Sequence, residues 1–188
     1  MLMLEQRIQQ QFYEAADLHN LAAQEMARPL ALAAELLAAC ITAGGKLMVV
    51  GSGVGQVLAP VMSLLLSGRF ERDRPPLAAL SLRDDSVASL AQQVAALAQP
   101  GDLLLLLDGE GPSQSLLDAA HAAHAAELSL VVMCAASRTL WREVLAETDV
   151  LLAVPHERAA RLSELQLLML HALCDAVDLQ LMGEQESP

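Results

Sequence analysis

Aromatic side chains are nearly missing from this chain of 188 residues: two phenylalanines, one tyrosine and one tryptophan make up 2% of it. A core must therefore be filled by Leu, Ala, Val and Met, and a composition rich in Leu and Ala favours helix. Basic residues are scarce as well, eleven against twenty-three acidic ones, for a net charge of −12. Such a chain would repel a phosphate backbone and has no basic patch for counterion release, which argues against direct nucleic-acid binding. Cys40, Cys134 and Cys174 are odd in number, far apart and without CxxC or Cys/His ligand spacing, so they read as reduced, mostly buried thiols. No apolar run reaches the roughly 18 residues of a membrane span, and the opening MLMLEQRIQQQ lacks the regions of a signal peptide. The expectation is a cytoplasmic protein with no metal and no cofactor.

Apolar residues make up 54% of the chain, enough for one domain over residues 1–188. Its organising stretch is Lys46 to Gly55, KLMVVGSGVG, an apolar run that stops at Gly51, Gly53 and Gly55 before a segment of helical composition. This reads as strand, tight loop, helix. Glycines there let the backbone approach a ligand while the unpaired N–H groups of the next helix point at the same space, which is how an anion cradle is built. The alternative is that the glycines only let the chain turn sharply off a buried strand.

Ahead of that loop, Leu4 to Met26 has the period of an amphipathic helix. Pro29 stands where a second helix would begin, and Leu30 to Ala43 is apolar nearly all round before Gly44-Gly45. Two such helices form more apolar surface than one sheet covers, so they are expected to pack on other subunits as well; the alternative is a cap on their own domain. Residues 1–45 are thus the N-terminal helices and 46–188 the α/β core. Within the core, helix is expected over Gln56–Leu66, Ser86–Gln99 with Ser86 as N-cap, Ser113–Ala126, Thr139–Ala146 and Glu157–Met182. Further strands are expected over Leu77–Leu82, Leu103–Leu107, Leu128–Cys134 and Val150–Val154. The alternation predicts a three-layer α-β-α protein with a five-stranded parallel sheet, and ligands at the carboxyl ends of its strands. The loops 51–55 and 108–113 would share that rim with the start of the last helix.

GSGVG after the first strand, then SGRFERDRPPLAAL, QPGDLLLLLDGEGPSQSLLDA and VPHERAARLSELQLLMLHALCDAVD resemble the sugar isomerase (SIS) domain, and within it the phosphoheptose isomerase branch. The resemblance covers nearly the whole chain. GRFERDRP and the closing ARLSELQLL…LCDAVD look closest to the initiator-associating subgroup, whose members bind the replication initiator DnaA as homotetramers. Enzymes of the branch hold a sugar phosphate on loops that read roughly GNGGS and STSGNS. By that resemblance Gly51, Ser52, Gly53, Gly55, Gly111 and Ser113 are vestiges of the phosphate loops, with His156, Arg161 and Glu164 on the ligand rim. Asp108 and Glu110 stand where hydroxyl donors would be and would repel a phosphate dianion.

The branch also uses a glutamate on the helix after the first loop and a histidine on the last helix to move protons. Alignment on Gly68-Arg69-Phe70 puts Leu65 at the glutamate position and Val61 at a family histidine one turn earlier. On the last helix it puts Gln166 at the histidine position and Ser163 at the preceding glutamine. The segment between Ser86 and Gln99 is also shorter than the family's. The resulting expectation is a non-catalytic homotetramer with no catalytic residues, acting through protein contacts with a DnaA-like initiator protein. The other reading is an isomerase or phosphosugar binder acting on sedoheptulose 7-phosphate. Among the remaining residues, His121 and His124 read as surface or half-buried histidines, Asp84-Asp85 as a helix cap and Trp141 as a packing anchor.

Overall fold

The computed structural model describes residues 2–84 and 87–184. Its first element is one continuous helix, α1 (Leu2–Thr42), where two helices were expected. Pro29 lies inside it. Proline deprives the carbonyl four residues back of its partner, but Glu25 is exposed, so water can take that place. The turns on both sides are held by burial of Ala22, Met26, Ala33, Ala34 and Leu37. Buried side chains begin only at Leu18, which leaves the start of α1 without cover from its own chain.

Strands and helices then alternate: β1 (Leu47–Ser52), α2 (Gly55–Ser67), β2 (Ala79–Ser81), α3 (Leu90–Leu97), β3 (Leu103–Asp108), α4 (Gln114–Ala125), β4 (Ser129–Ala135), α5 (Leu140–Val144), β5 (Val150–Val154) and α6 (Ala159–Met182). The strand order is β2-β1-β3-β4-β5 and every pairing is parallel. The five-stranded sheet with helices on both faces is therefore as expected, with β2 shorter than its apolar run. The start placed at Ser86 for the third helix lies outside the described residues. Within them, α3 begins after Ser89, whose side chain accepts from Gln92 N while the Gln92 amide returns to Ser89 N.

Alternation along the strands divides the core in two. Leu47, Val49, Leu103, Leu105 and Leu107 face α1, α2 and α6. Met48, Val50, Leu104 and Leu106 face α3, α4 and α5. α6 is long and apolar enough to cross a membrane by length and composition alone. Here it is a core helix, with Leu162, Leu165, Leu170, Leu173 and Val177 buried.

Candidate functional site

β1 and β3 are neighbours whose following connections leave toward opposite sides of the sheet, so their carboxyl ends form the crevice where doubly wound sheets take ligands. The two glycine loops meet there because their backbones nest. A Cβ on Gly55 would stand 2.2 Å from the Leu107 carbonyl oxygen, and one on Gly51 2.3 Å from the Gly55 backbone. One on Gly109 would stand 2.7 Å from the Ser52 carbonyl oxygen. Close approach explains these three. Gly53 alone of the first loop has positive φ, +54°, and the Glu110 side chain lies against it. α2 starts from Val54 with no side-chain cap; Gln56 N and Val57 N donate to the Gly53 and Val54 carbonyls, at 3.2 and 2.9 Å. The opposite loop ends at Ser113, whose hydroxyl accepts from Leu116 N at 3.3 Å and caps α4.

Asp108, expected to face the ligand, is turned inward and wholly buried. Its carboxylate accepts from Trp141 Nε1 at 2.8 Å, from Gly111 N at 2.7 Å and from Ser52 Oγ at 3.4 Å. Arg138 on the next loop pairs with the same carboxylate and donates to the Asp108 carbonyl at 2.7 Å. This corrects the repulsion argued from the sequence: the charge is neutralised by a guanidinium and satisfied by donors from three elements. Burial, first, and the nearby Asp108 charge push the Cys134 thiol up to about 12. Gln166 is buried beneath the same loop and donates to the Asp108 carbonyl at 3.3 Å and the Met133 carbonyl at 3.1 Å. It supports the site from below and does not face it. The histidine that α6 does carry is His171, half-buried, with its ring 5.5 Å from Phe70. Sequence reading passed over it although it stands in the quoted LQLLMLH stretch.

The rim residues go elsewhere. Arg161, 5% exposed, donates from Nη1 to Glu164 at 2.6 Å and from Nη2 to the Gln11 carbonyl at 3.0 Å, tying α1 to the start of α6. Arg161 and Glu164 line a cavity of about 260 Å³ with Gln11, Phe12, Ala15 and His19, apart from the glycine loops. His156 Nδ1 accepts from Arg158 N at 3.0 Å. His124 pairs with Asp149 at 2.8 Å, and Asp84 accepts from Ser115 at 2.5 Å. The structure thus gathers Gly51, Ser52, Gly53, Gly55 and Gly111, uses Ser113 as a cap, and leaves His156, Arg161 and Glu164 outside.

GRFERDRP proves to be a clamp. Arg74 has no exposed side-chain surface; it donates to the Leu65 and Leu66 carbonyls, each at 2.7 Å, and pairs with Asp178 of α6 at 2.7 Å. It thereby satisfies the last carbonyls of α2, which lack intrahelical partners. Leu65 is half-buried beside it.

A family model described as SIS domain matches residues 11–135. The chain belongs to the SIS family. A phosphoheptose isomerase of Methylibium petroleiphilum is 42% identical to this SIS chain, with 98% of each covered. A solved phosphoheptose isomerase from Francisella tularensis superposes with a TM-score of 0.86 at 29% identity, covering 95% of this chain and 99% of that one. Phosphoheptose isomerase GmhA from Neisseria gonorrhoeae gives 0.85 at 29%, covering 93% and 98%. Within the SIS family the resemblance to the phosphoheptose isomerase branch is thus supported over the full length, and closeness to the initiator-associating subgroup is not shown. These relatives overturn the expectation of a non-catalytic, initiator-associating protein with no enzymatic role. One of the losses argued for it has a physical correction: Asp108 is not a charge in the site, because Arg138 pairs with it inside the fold.

Proposed function

We propose that this chain is a phosphoheptose isomerase-like enzyme that converts sedoheptulose 7-phosphate to a heptose 7-phosphate by moving a proton between adjacent carbons of the open-chain sugar. The observation that carries this reading is full-length similarity to phosphoheptose isomerases, together with a glycine cradle at the switch point of the sheet. In this reading the uncapped start of α2 and the backbone around Gly53 take the phosphate. A group that exchanges protons is needed as well; His171, packed on Phe70 beyond the far end of α2, lies away from the cradle. The three buried free thiols support a reducing, cytoplasmic setting. The test is turnover of sedoheptulose 7-phosphate against a buffer control. Turnover above the control is expected; its absence in the unaltered chain overturns the reading.

The same reading includes assembly into a homo-oligomer of four copies. Supporting it, α1 presents Leu4, Ile8, Phe12 and Tyr13 at 50 to 72% exposure, an unusual surface for a helix left alone. Sedimentation of the full chain should give a tetramer. Ile8→Glu with Phe12→Glu should give smaller species, and a 20 kDa monomer at micromolar concentration for the unaltered chain would sink this part.

A further inference from the structure

Between β3 and α4 the loop backbone is held, with Gly111 N donating to the Asp108 carboxylate and the Gly109 carbonyl accepting from Arg138, while the Glu110 side chain has no hydrogen bond or ion pair among the described residues. Asp108 fixes one end through Arg138, Trp141 and Ser52, and Ser113 fixes the other as the cap of α4. Gly109, Glu110, Gly111 and Pro112 lie between. Gly111 has φ +123°, a conformation only glycine adopts readily, and a Cβ there would meet nothing within 4 Å. Glu110 is exposed at the tip of this segment. Its side chain rests on the floor of the cradle: a Cβ on Gly53 would stand 2.3 Å from Glu110 Cγ and 2.7 Å from Oε1. Asp108, two residues earlier, has an arginine partner. Among the described residues Glu110 has no ion pair.

We propose that Glu110 is a carboxylate latch on the glycine cradle, which an incoming phosphate must expel, so that this residue sets the affinity and charge selectivity of the site. The proposal rests on the phosphosugar reading above. A carboxylate and a phosphate compete for the same volume beside Gly53, and their like charges oppose joint occupancy. The observed affinity for phosphate is then the intrinsic one reduced by the fraction of molecules with the latch open. Chain length separates this role from proton transfer. The phosphate of a 7-phosphate is carried at the end of the sugar opposite the C1–C2 pair. A carboxylate lying on the cradle therefore meets the phosphate and not the reacting carbons. The backbone on both sides is held, by the close packing of Gly109 on Ser52 and by the Gly111 N–H on Asp108, so the opening motion is a rotation of the Glu110 side chain.

The experiment titrates the full chain, Glu110→Gln and Glu110→Ala with inorganic phosphate by calorimetry, and with unphosphorylated sedoheptulose as the neutral control. Phosphate should bind about tenfold more tightly to Glu110→Gln, and at least as tightly again to Glu110→Ala, which removes volume as well as charge. The neutral sugar should bind all three alike. Equal or weaker phosphate binding by both variants, or no phosphate binding by any form, overturns the latch. So does a hundredfold loss of turnover in Glu110→Gln with phosphate affinity unchanged, because the carboxylate would then serve the chemistry. If none of the three forms turns over sedoheptulose 7-phosphate, the isomerase reading fails while the phosphate titration still decides on the latch.

Discussion

Three aspartates are buried among the described residues; Asp102 is matched by Lys46, while Asp108 and Asp178 are each matched by arginine in a different way. Asp108 lies under the ligand crevice, and its arginine, Arg138, comes from the loop after the neighbouring strand and keeps 13% of its side chain exposed. Asp178 lies on α6 against Arg74, and there the exposures are 2% and 0%. Arg74 also holds the end of α2, so the second pair joins two helices, whereas the first pair shapes the loop beside the glycine cradle. The difference teaches that a buried ion pair can serve architecture in one place and a site in another. Its effect on binding, more than its depth, tells the two apart.

The comparison breaks most sharply at the deeper pair. Asp178→Ala leaves Arg74 buried without a countercharge and should cost about 4 kcal/mol in urea unfolding. Replacing both partners, with Arg74→Met and Asp178→Leu, should recover much of that loss, because an apolar pair needs no desolvation. Asp108→Ala should cost less, about 3 kcal/mol, since Arg138 can turn toward solvent. It should also raise the KM for sedoheptulose 7-phosphate while Asp178→Ala, measured well below its midpoint, leaves KM in place. Equal effects of both on KM would erase the distinction drawn here.

Smaller changes sharpen it. Gly53→Ala sets a side chain at φ +54° and pushes on the flexible end of Glu110, a cost of about 1 kcal/mol. Gly55→Ala meets the rigid Leu107 carbonyl and should cost more; thermal unfolding of the two variants ranks them. The smallest effect concerns the thiols. Burial raises Cys40 to about 11 and Cys134 and Cys174 to about 12, so all three stay neutral in the folded chain at pH 8. Ellman's reagent should find them slow until denaturant is added. Because the folded values lie above the ordinary thiol value of 9.0, their contribution to stability is present below pH 9 and is lost as pH rises toward 11 to 12.

How far the site was legible differs from residue to residue. Gly51 and Gly55 announced a tight turn whose reason is backbone nesting, and Trp141 was read as a packing anchor without its bond to Asp108. Asp108 was misplaced because a loop position in sequence does not reveal which way its side chain faces. Arg138, far from Asp108 in the chain, carried no local signal of the partnership.

By itself the sequence determined the order of strands and helices, the parallel sheet and the family, because apolar period and turn residues act over short stretches of chain. One departure is instructive: Pro29 marks a helix start in local terms, yet packing on both sides carries α1 straight through it. Only the tertiary structure decided which charges are spent inside and which are left at the site. Pairing depends on distance in space, and a carboxylate such as Asp108 changes from a repulsive ligand-site charge to a satisfied internal one when an arginine from another loop reaches it.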